Sequence, residues 1–474
     1  MIKFDTKVQE LKNRVLTEVA KESWKGTLFD NLIDIPKKII TGKKPMVRCC
    51  VYKEQVIVNE RVKLAIGGNK HNPNVIEVID IACDECPVGG YEVTNACRGC
   101  LAHKCEQVCP KNCITFDNHN RAIIDKEKCI ECGLCASACP YSAIRHNKRP
   151  CEVSCQVDAI SMGSENQAVI DNEKCTSCGA CVYQCPFGAI MDKSFILDVI
   201  DIIKKSQQNS KYRVYALVAP SIASQCTSAK LGQVVKGIKE LGFHTVVEVA
   251  LGADMVADKE TKELVEKGFL TSSCCPAFVD YIYKKHPNMV EHISHNLSPV
   301  AELSKYIKEK DPEGKIVFIG PCTAKKMEFQ KDGVRQYVDI VMTFEELHAL
   351  FDSKSINVSE LEEEVLDNAS YYGRIFARSG GLTDAVRQGL IENKITDFEL
   401  RPVICDGLDE IKKALLKISK GIDIGNFIEG MACKGGCING AGCISHGNKN
   451  KAQVDKYGME AYEKTIKEAI SQMK

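Results

Sequence analysis

Cysteine is where this sequence can do chemistry. The 474 residues contain 27 of them, and 17 fall between residues 81 and 192. Two segments there repeat, "RAIIDKEKCIECGLCASACPYSAI" and "QAVIDNEKCTSCGACVYQCPFGAI", the second lying 46 residues after the first. The offset maps Cys129, Cys132, Cys135 and Cys139 onto Cys175, Cys178, Cys181 and Cys185, and Cys105 and Cys109 onto Cys151 and Cys155. An internal repeat implies one structural unit used twice. Each copy reads CxxCxxCxxxCP, a pattern in which three closely spaced thiolates wrap one iron-sulfur cube and the fourth, before proline, reaches a neighbouring cube. Zinc sites normally use two separate CxxC knuckles instead. Disulfide scaffolds are usually short secreted chains, so dense cysteine spacing in a chain of this length reads as cluster ligation in a reducing compartment.

This stretch resembles bacterial two-cluster ferredoxins. The pairing rule of that family implies one cube on Cys97, Cys100, Cys105 and Cys139 and a second on Cys129, Cys132, Cys135 and Cys109. A third falls on Cys175, Cys178, Cys181 and Cys155. The first knuckle departs from the pattern, with four residues between Cys100 and Cys105, which predicts a local bulge. Cys151 and Cys185 are left for a fourth cube. The repeat places Ala143 and His146 where two more ligands belong, so the missing pair is either Cys83 and Cys86, the favoured choice, or includes His146. Cys113 is left without a role. Three or four cubes in series make a wire, which predicts a redox catalyst further along.

Beyond residue 192 cysteines are sparse, and four stand in unusual contexts: Cys275 in "TSSCCPAF", Cys322 in "IGPCTAKKMEF", and Cys433 and Cys437 in "EGMACKGGCINGAGC". Apolar runs such as "YRVYALVA", "HTVVEVA", "KIVFIG" and "VDIVMT" read as buried strands, and alternate with helical patterns such as "ETKELVEKG" and "TFEELHALF". That alternation predicts an α/β domain with largely parallel strands. Ligands in such sheets bind outside the carboxyl ends of strands. Cys322 follows one strand, and Pro220 and Ser221 follow another.

Over essentially the whole of 193–474 the sequence resembles the catalytic domain of FeFe-hydrogenases, in a spelling similar to the clostridial group B, with the three signature loops in order. The resemblance implies an H-cluster: a 4Fe–4S cube joined through one cysteine to a two-iron unit with carbonyl, cyanide and a bridging dithiolate amine. By motif the cube ligands are Cys275, Cys322, Cys433 and Cys437, with Cys437 as the bridge. Lys325 would donate to one cyanide and Ser221 to the other, Met431 would pack beside the cluster, and Glu328 would anchor the loop. A buried site needs a proton path. Cys274 matches the family's proton-donor thiol, Glu260 and Glu263 its two relay carboxylates on one helix face, and Ser298 in "HNLSPV" the relay hydroxyl. The implied order is solvent, Glu263, Ser298, Glu260, Cys274, bridging amine. Departures are Gly320 where many members have Met, Ala277 and Phe278 for the common Gly-Trp, an extra Ser in "TSSCCP", and "NGAGC" after the last ligand. They bear on packing, gas access and catalytic bias, not on the ligands.

The elements that must position these residues fall into three stretches: 1–80, a small α/β region of unknown role, with strands at "EQVIVN" and "VIEVID" and two buried thiols, Cys49 and Cys50; 81–192, a polyferredoxin-like domain; and 193–474, a two-lobed α/β catalytic domain. The expected fold class is thus multidomain, α+β and α/β. The charged amphipathic start reads as a surface helix without a signal-peptide core. No segment is apolar enough to span a bilayer, and 63 basic residues balance 63 acidic ones, so no global charge favours nucleic acid. The resemblance implies a cytoplasmic enzyme of reversible dihydrogen chemistry, exchanging electrons with a ferredoxin and dependent on hydrogenase maturation proteins. A sensory relative would tend to lose Cys274. An iron-sulfur assembly or carrier protein of the eukaryotic hydrogenase-like kind would lack the two-iron unit and the full second loop.

Overall fold

A computed structural model describes residues 4–45, 48–87, 89–226 and 228–473. Its cysteine-rich part is built from short antiparallel ladders: β1 (Ile76–Val78), β2 (Gly90–Val93), β3 (Ile114–Phe116), β4 (Ala122–Ile124), β5 (Ile144–Asn147), β6 (Ile160–Met162), β7 (Ala168–Ile170) and β8 (Ile190–Asp192). β3 pairs with β4, β6 with β7, β2 with β5, and β1 closes on β8. The cysteine loops hang between these ladders. The repeat is visible in the backbone: Gly133 and Gly179 both adopt left-handed conformations (φ 77° and 78°) just before the short helices that carry Cys135 and Cys181. In the longer first knuckle the same role falls to His103 (φ 40°), which stacks on Phe116 and starts the helix Lys104–Gln107. That is the expected bulge.

The α/β part holds two parallel sheets. β9 (Val214–Val218), β10 (Thr245–Glu248), β12 (Lys315–Gly320) and β13 (Ile340–Thr343) form one, in the order β10-β9-β12-β13. β11 (Leu270–Thr271), β14 (Pro402–Asp406) and β15 (Phe427–Met431) form the other, in the order β11-β15-β14. Each of the four apolar runs singled out in the sequence contains a strand of the first sheet, and both helical patterns lie in helices, within Val249–Lys267 and Phe344–Ser353. β9 and β12 are buried because helices cover both faces, which is why their sequences read as continuous apolar runs.

Three expectations about residues 1–80 fail. "EQVIVN" is not a strand; it lies in the helix Val51–Ala65, whose Ile57, Val58, Val62 and Ala65 recur at helical spacing and are buried. The opening helix, Lys7–Lys25, is not a surface helix. Its Val15, Leu16, Val19 and Ala20 are buried in one core with Ile196, Val234, Leu347 and Leu350 of the α/β part. Cys49 is exposed and Cys50 half-buried, so they are not a buried pair. The stretch is mostly helical and packs into its neighbours: β1 pairs with β8, and the first helix lies on Phe344–Ser353. Among the described residues no helix is long and apolar enough to cross a membrane.

Candidate functional site

The loops after the strands of both sheets meet at one cavity. Pro220 follows β9, Cys274 and Cys275 follow β11, Cys322 and Lys325 follow β12, and Cys433 and Cys437 follow β15; all of these, with Met431, line it. The convergence that spacing alone left open is therefore a property of strand polarity: parallel strands deliver all their carboxyl ends to one side. The turn from Cys433 to Cys437 passes through Gly435 and Gly436 at φ 86° and 91°. A Cβ on Gly436 would stand 2.7 Å from the Ser379 amide, so only glycine lets the chain double back here. Gly320, in place of a Met, leaves its space to the Phe318 ring, which forms part of the cavity wall.

The donor set fits an anionic cluster bound through thiolates. Burial pushes the Cys322 thiol up to about 12, aggravated by charge on Cys275 and eased by Lys325. Burial and the neighbouring thiols likewise raise Cys433 and Cys437. Such buried thiols ionise together when a bound metal centre supplies the compensating positive charge. Lys325 Nζ bonds Glu328 Oε2 at 2.6 Å, and that oxygen also accepts from Ser298 Oγ at 3.1 Å. Glu328 thus anchors the ammonium at the wall. Ser221 is fully buried beside Pro220, and its Oγ has no hydrogen-bond partner in the protein. A buried hydroxyl is rarely left so, and its position suits a polar ligand of a cofactor.

The proton path needs one correction. Ser298 is bound to Glu328 and does not join the two glutamates. Ser294 does: its Oγ donates to Glu263 Oε2 at 3.1 Å and also interacts with Glu260. Ser294 lies four residues before Ser298, on the turn that ends at "HNLSPV". Glu260 is fully buried and accepts from Ser273 N at 3.3 Å. Burial lifts its carboxyl to about 7, against the pull of Ser294 and Ser273. Glu263 resists its own burial through Lys267, the His295 amide and Ser294, which hold it below the ordinary value. Lys267 and His295 are accessible to water. Cys274 is kept protonated by burial and by the nearby Glu260 charge. The row Glu263, Ser294, Glu260, Cys274 therefore runs from surface to cavity.

The 17 cysteines of residues 81–192 gather in four groups. Cys97, Cys100, Cys105 and Cys139 line one small cavity, and Cys109, Cys129, Cys132 and Cys135 a second, which Cys113 also lines, its Sγ 3.3 Å from that of Cys109. Cys155, Cys175, Cys178 and Cys181 feel one another's charge, as do Cys83, Cys86, Cys151 and Cys185. His146 is not in this last set; it contacts Glu131 and Tyr91. Among the described residues no three potential ligands close around a point the size of a single ion; a cube does not ask them to, since each thiolate binds a different iron. The third set lies against the loops that line the four-thiol cavity. Thr323 Oγ1 donates to Ser177 O at 2.8 Å, a Cβ on Gly179 would stand 2.4 Å from that of Ala441, and Cys433 feels the charge of Cys178.

The fold and its thiol sites are those of an iron-sulfur protein. Residues 212–441 match the family described as iron only hydrogenase large subunit, C-terminal domain, and residues 122–145 and 168–191 match the 4Fe-4S binding domain. Iron hydrogenase 1 of Clostridium pasteurianum is 29% identical over 314 residues, 54% of either chain. Cytosolic iron-sulfur assembly component 3 of Rattus norvegicus is 24% identical over 264 residues, 43% of this chain and 55% of that one. The chain thus spans about half the length of these curated relatives. A variant of FeFe-hydrogenase HydA1 from Chlamydomonas reinhardtii superimposes with a TM-score of 0.50 at 20% identity, over 59% of this chain and 93% of that one, a likeness of fold.

Proposed function

We propose that this chain is an FeFe-hydrogenase that interconverts protons and dihydrogen, 2H⁺ + 2e⁻ ⇌ H₂, in the cytoplasm, exchanging electrons through its cubes with a ferredoxin-like carrier. The observation that carries this reading is the row of proton-holding groups ending at Cys274 in the wall of the four-thiol cavity. A protein that only stores or transfers cubes has no use for it. When bound, the H-cluster supplies the redox centre at which protons and electrons combine; Cys275, Cys322, Cys433 and Cys437 would hold it, and maturation proteins would install its two-iron unit.

The chain's own residues do the rest. Glu263, pinned by Ser294, Asn296 and the His295 amide, takes a proton from water. Ser294 passes it to Glu260, whose value of about 7 lets it bind and release near neutral pH. Glu260 returns a proton to Cys274, which lines the cavity, once the thiol has released its own into the cavity. Lys325, fixed by Glu328, places positive charge where an anionic cofactor needs it. Ser221 offers its free hydroxyl on the side of β9. The apolar wall, with Phe318, Phe376 and Met431, excludes bulk water.

A second reading, an iron-sulfur assembly or carrier protein, draws on the similarity to cytosolic assembly component 3. Two measurements separate them. Matured protein should show carbonyl and cyanide infrared bands and evolve dihydrogen from a reduced low-potential donor. Cys274→Ala should lower turnover by about 10²-fold or more, the scale of a lost proton donor, with bands and iron content unchanged. Bands without any turnover in the parent protein would sink the hydrogenase reading; cubes without bands after maturation would favour the second.

A further inference from the structure

Eight lysines and arginines are buried among the described residues, and six of them pair with carboxylates: Lys12, Arg48, Lys193, Lys325, Lys326 and Arg374. The other two, Arg61 and Arg149, have no acid within reach among the described residues, and both stand at the fourth thiol set. Arg149 is 1% exposed; its Nε donates to Pro87 O at 3.3 Å, its Nη1 lies 3.6 Å from Cys83 Sγ, and its Nη2 is buried without a partner. Arg61 is 3% exposed; its Nη2 donates to the Phe187 and Gly188 carbonyls, in the turn after Cys185, while Nε and Nη1 are buried and unpartnered.

A buried guanidinium without counter-charge is costly, because its desolvation is not repaid. Burial accordingly pushes Arg61 down to about 10, with only the charge of Cys185 acting the other way. What would compensate both residues is an anion between them. A cube on four thiolates is dianionic when oxidised and trianionic when reduced, and such a group on Cys83, Cys86, Cys151 and Cys185 lies beside both guanidiniums.

The two states of the cube do not gain equally. Added positive charge in a dry site favours the more negative, reduced form, and hydrogen bonds to sulfur act in the same direction. Cys185 Sγ accepts from the Ala189 amide, as its counterparts do in the sister turns: Cys139 from Ala143, Cys155 from Ala159 and Cys109 from Cys113. The third and fourth sets each add a second amide, Ser177 N to Cys175 Sγ and Ala168 N to Cys83 Sγ, both at 3.4 Å, so what sets the fourth apart is its buried cations. The cations lining the first two sets, Arg98, Lys104 and Lys111, are exposed and screened by water. The repeat sharpens the contrast, because the position of Arg149 is held by His103 in the first copy, half-exposed and beside Glu106.

We propose that Cys83, Cys86, Cys151 and Cys185 hold a fourth 4Fe–4S cube whose reduction potential Arg61 and Arg149 raise above those of the three sister cubes, making it the first to accept an electron. The step is [4Fe–4S]²⁺ + e⁻ → [4Fe–4S]⁺, the electron coming from an external low-potential one-electron donor. Cys151 feels Cys181 of the third set, so the cube adjoins the one beside the catalytic loops. There it serves as an electron store that fills before the line to the cavity carries current. The proposal stands whether or not the chain makes dihydrogen.

The test is a redox titration of the full chain with all cubes reconstituted and no two-iron unit, followed by electron paramagnetic resonance. One signal should appear at higher potential than the rest. Arg149→Met and Arg61→Met should each lower the reduced fraction of that component at least tenfold at a fixed potential, with iron content unchanged, and Arg149→Lys, which keeps the charge, should retain most of it. Cys86→Ser should abolish or alter the same component. Overlapping signals in the parent, equal effects of Arg149→Met and Arg149→Lys, or a Cys86→Ser protein with parental iron and spectrum would overturn the proposal.

Discussion

In the proposed hydrogenase, individual side chains divide into those that bind and those that move protons. Ser294 and Ser298 test the division directly. Ser294→Ala breaks the link between Glu263 and Glu260, and should slow turnover by about 10- to 100-fold, the lower part of the range for positioned proton transfer. Ser298→Ala only releases Glu328, and should change turnover less while altering the environment of Lys325; steady-state rates with a common donor compare the two. Glu260 links catalysis to stability. Its folded value, about 7, lies above the ordinary 4.5, so the folded state holds its proton more tightly. Its contribution to stability is best at low pH, falls as pH rises from 4.5 through 7, and stays low above. Glu260→Gln removes that cost. Its melting temperature should exceed the parent's at pH 8, the gap should shrink toward pH 6, and turnover should fall. The thiol groups were legible in the sequence because they follow local cysteine spacing. The relay hydroxyl was not, since the turn 287–299 offers two serines and only packing against the helix Val249–Lys267 selects one. Arg61 and Arg149 carried no signal at all, because what marks them is a missing partner.

Short elements make the cluster sites, and their turns are interchangeable up to a point. Four turns place an amide on the sulfur four residues earlier; at that amide stands Ala in three and Cys113 in the other. Cys113→Ala should therefore leave iron content unchanged, whereas Cys132→Ala in the same site should lower it; iron and sulfide assays distinguish them. Gly179 has no such freedom. It sits at φ 78°, and a Cβ would come within 2.5 Å of Thr323 Oγ1 and 2.4 Å of the Ala441 Cβ. Gly179→Ala should destabilise the protein by about 1–3 kcal/mol and slow electron entry to the catalytic loops, visible as slower bleaching by a reductant than in the parent. The strands of the first sheet were legible because burial on both faces writes an apolar run. "EQVIVN" misled because a short apolar run has the same look in a buried helix as in a strand; its continuation through Val62 and Ala65 is what sets the period.

At the scale of the molecule, a fully buried charge network ties the three stretches together. Lys12 from the first helix bonds Asp192 at 2.5 Å and Glu345 at 2.6 Å; Lys326, next to Lys325, bonds Asp192 and Glu346 at 2.8 Å each. Ser194 adds a hydrogen bond to Glu346 at 2.5 Å. Breaking a buried pair from one side leaves an uncompensated charge, so Lys12→Met or Lys326→Met should cost about 3–5 kcal/mol, read as a lower denaturation midpoint. This was the least legible level. A charged amphipathic opening has the composition of a surface helix, and nothing local announces that its lysine meets acids far along the chain.

The same network sets a schedule for synthesis. Lys12 leaves the ribosome early, yet its partner Glu345 follows 333 residues later. At roughly 5–20 residues per second the interval is roughly 15–70 s. The last accessory cysteine, Cys185, precedes Glu345 by 160 residues, so all four thiol sets are made before the helix Phe344–Ser353 on which the first helix lies. The accessory cubes can therefore be filled before the α/β body that packs against them is complete.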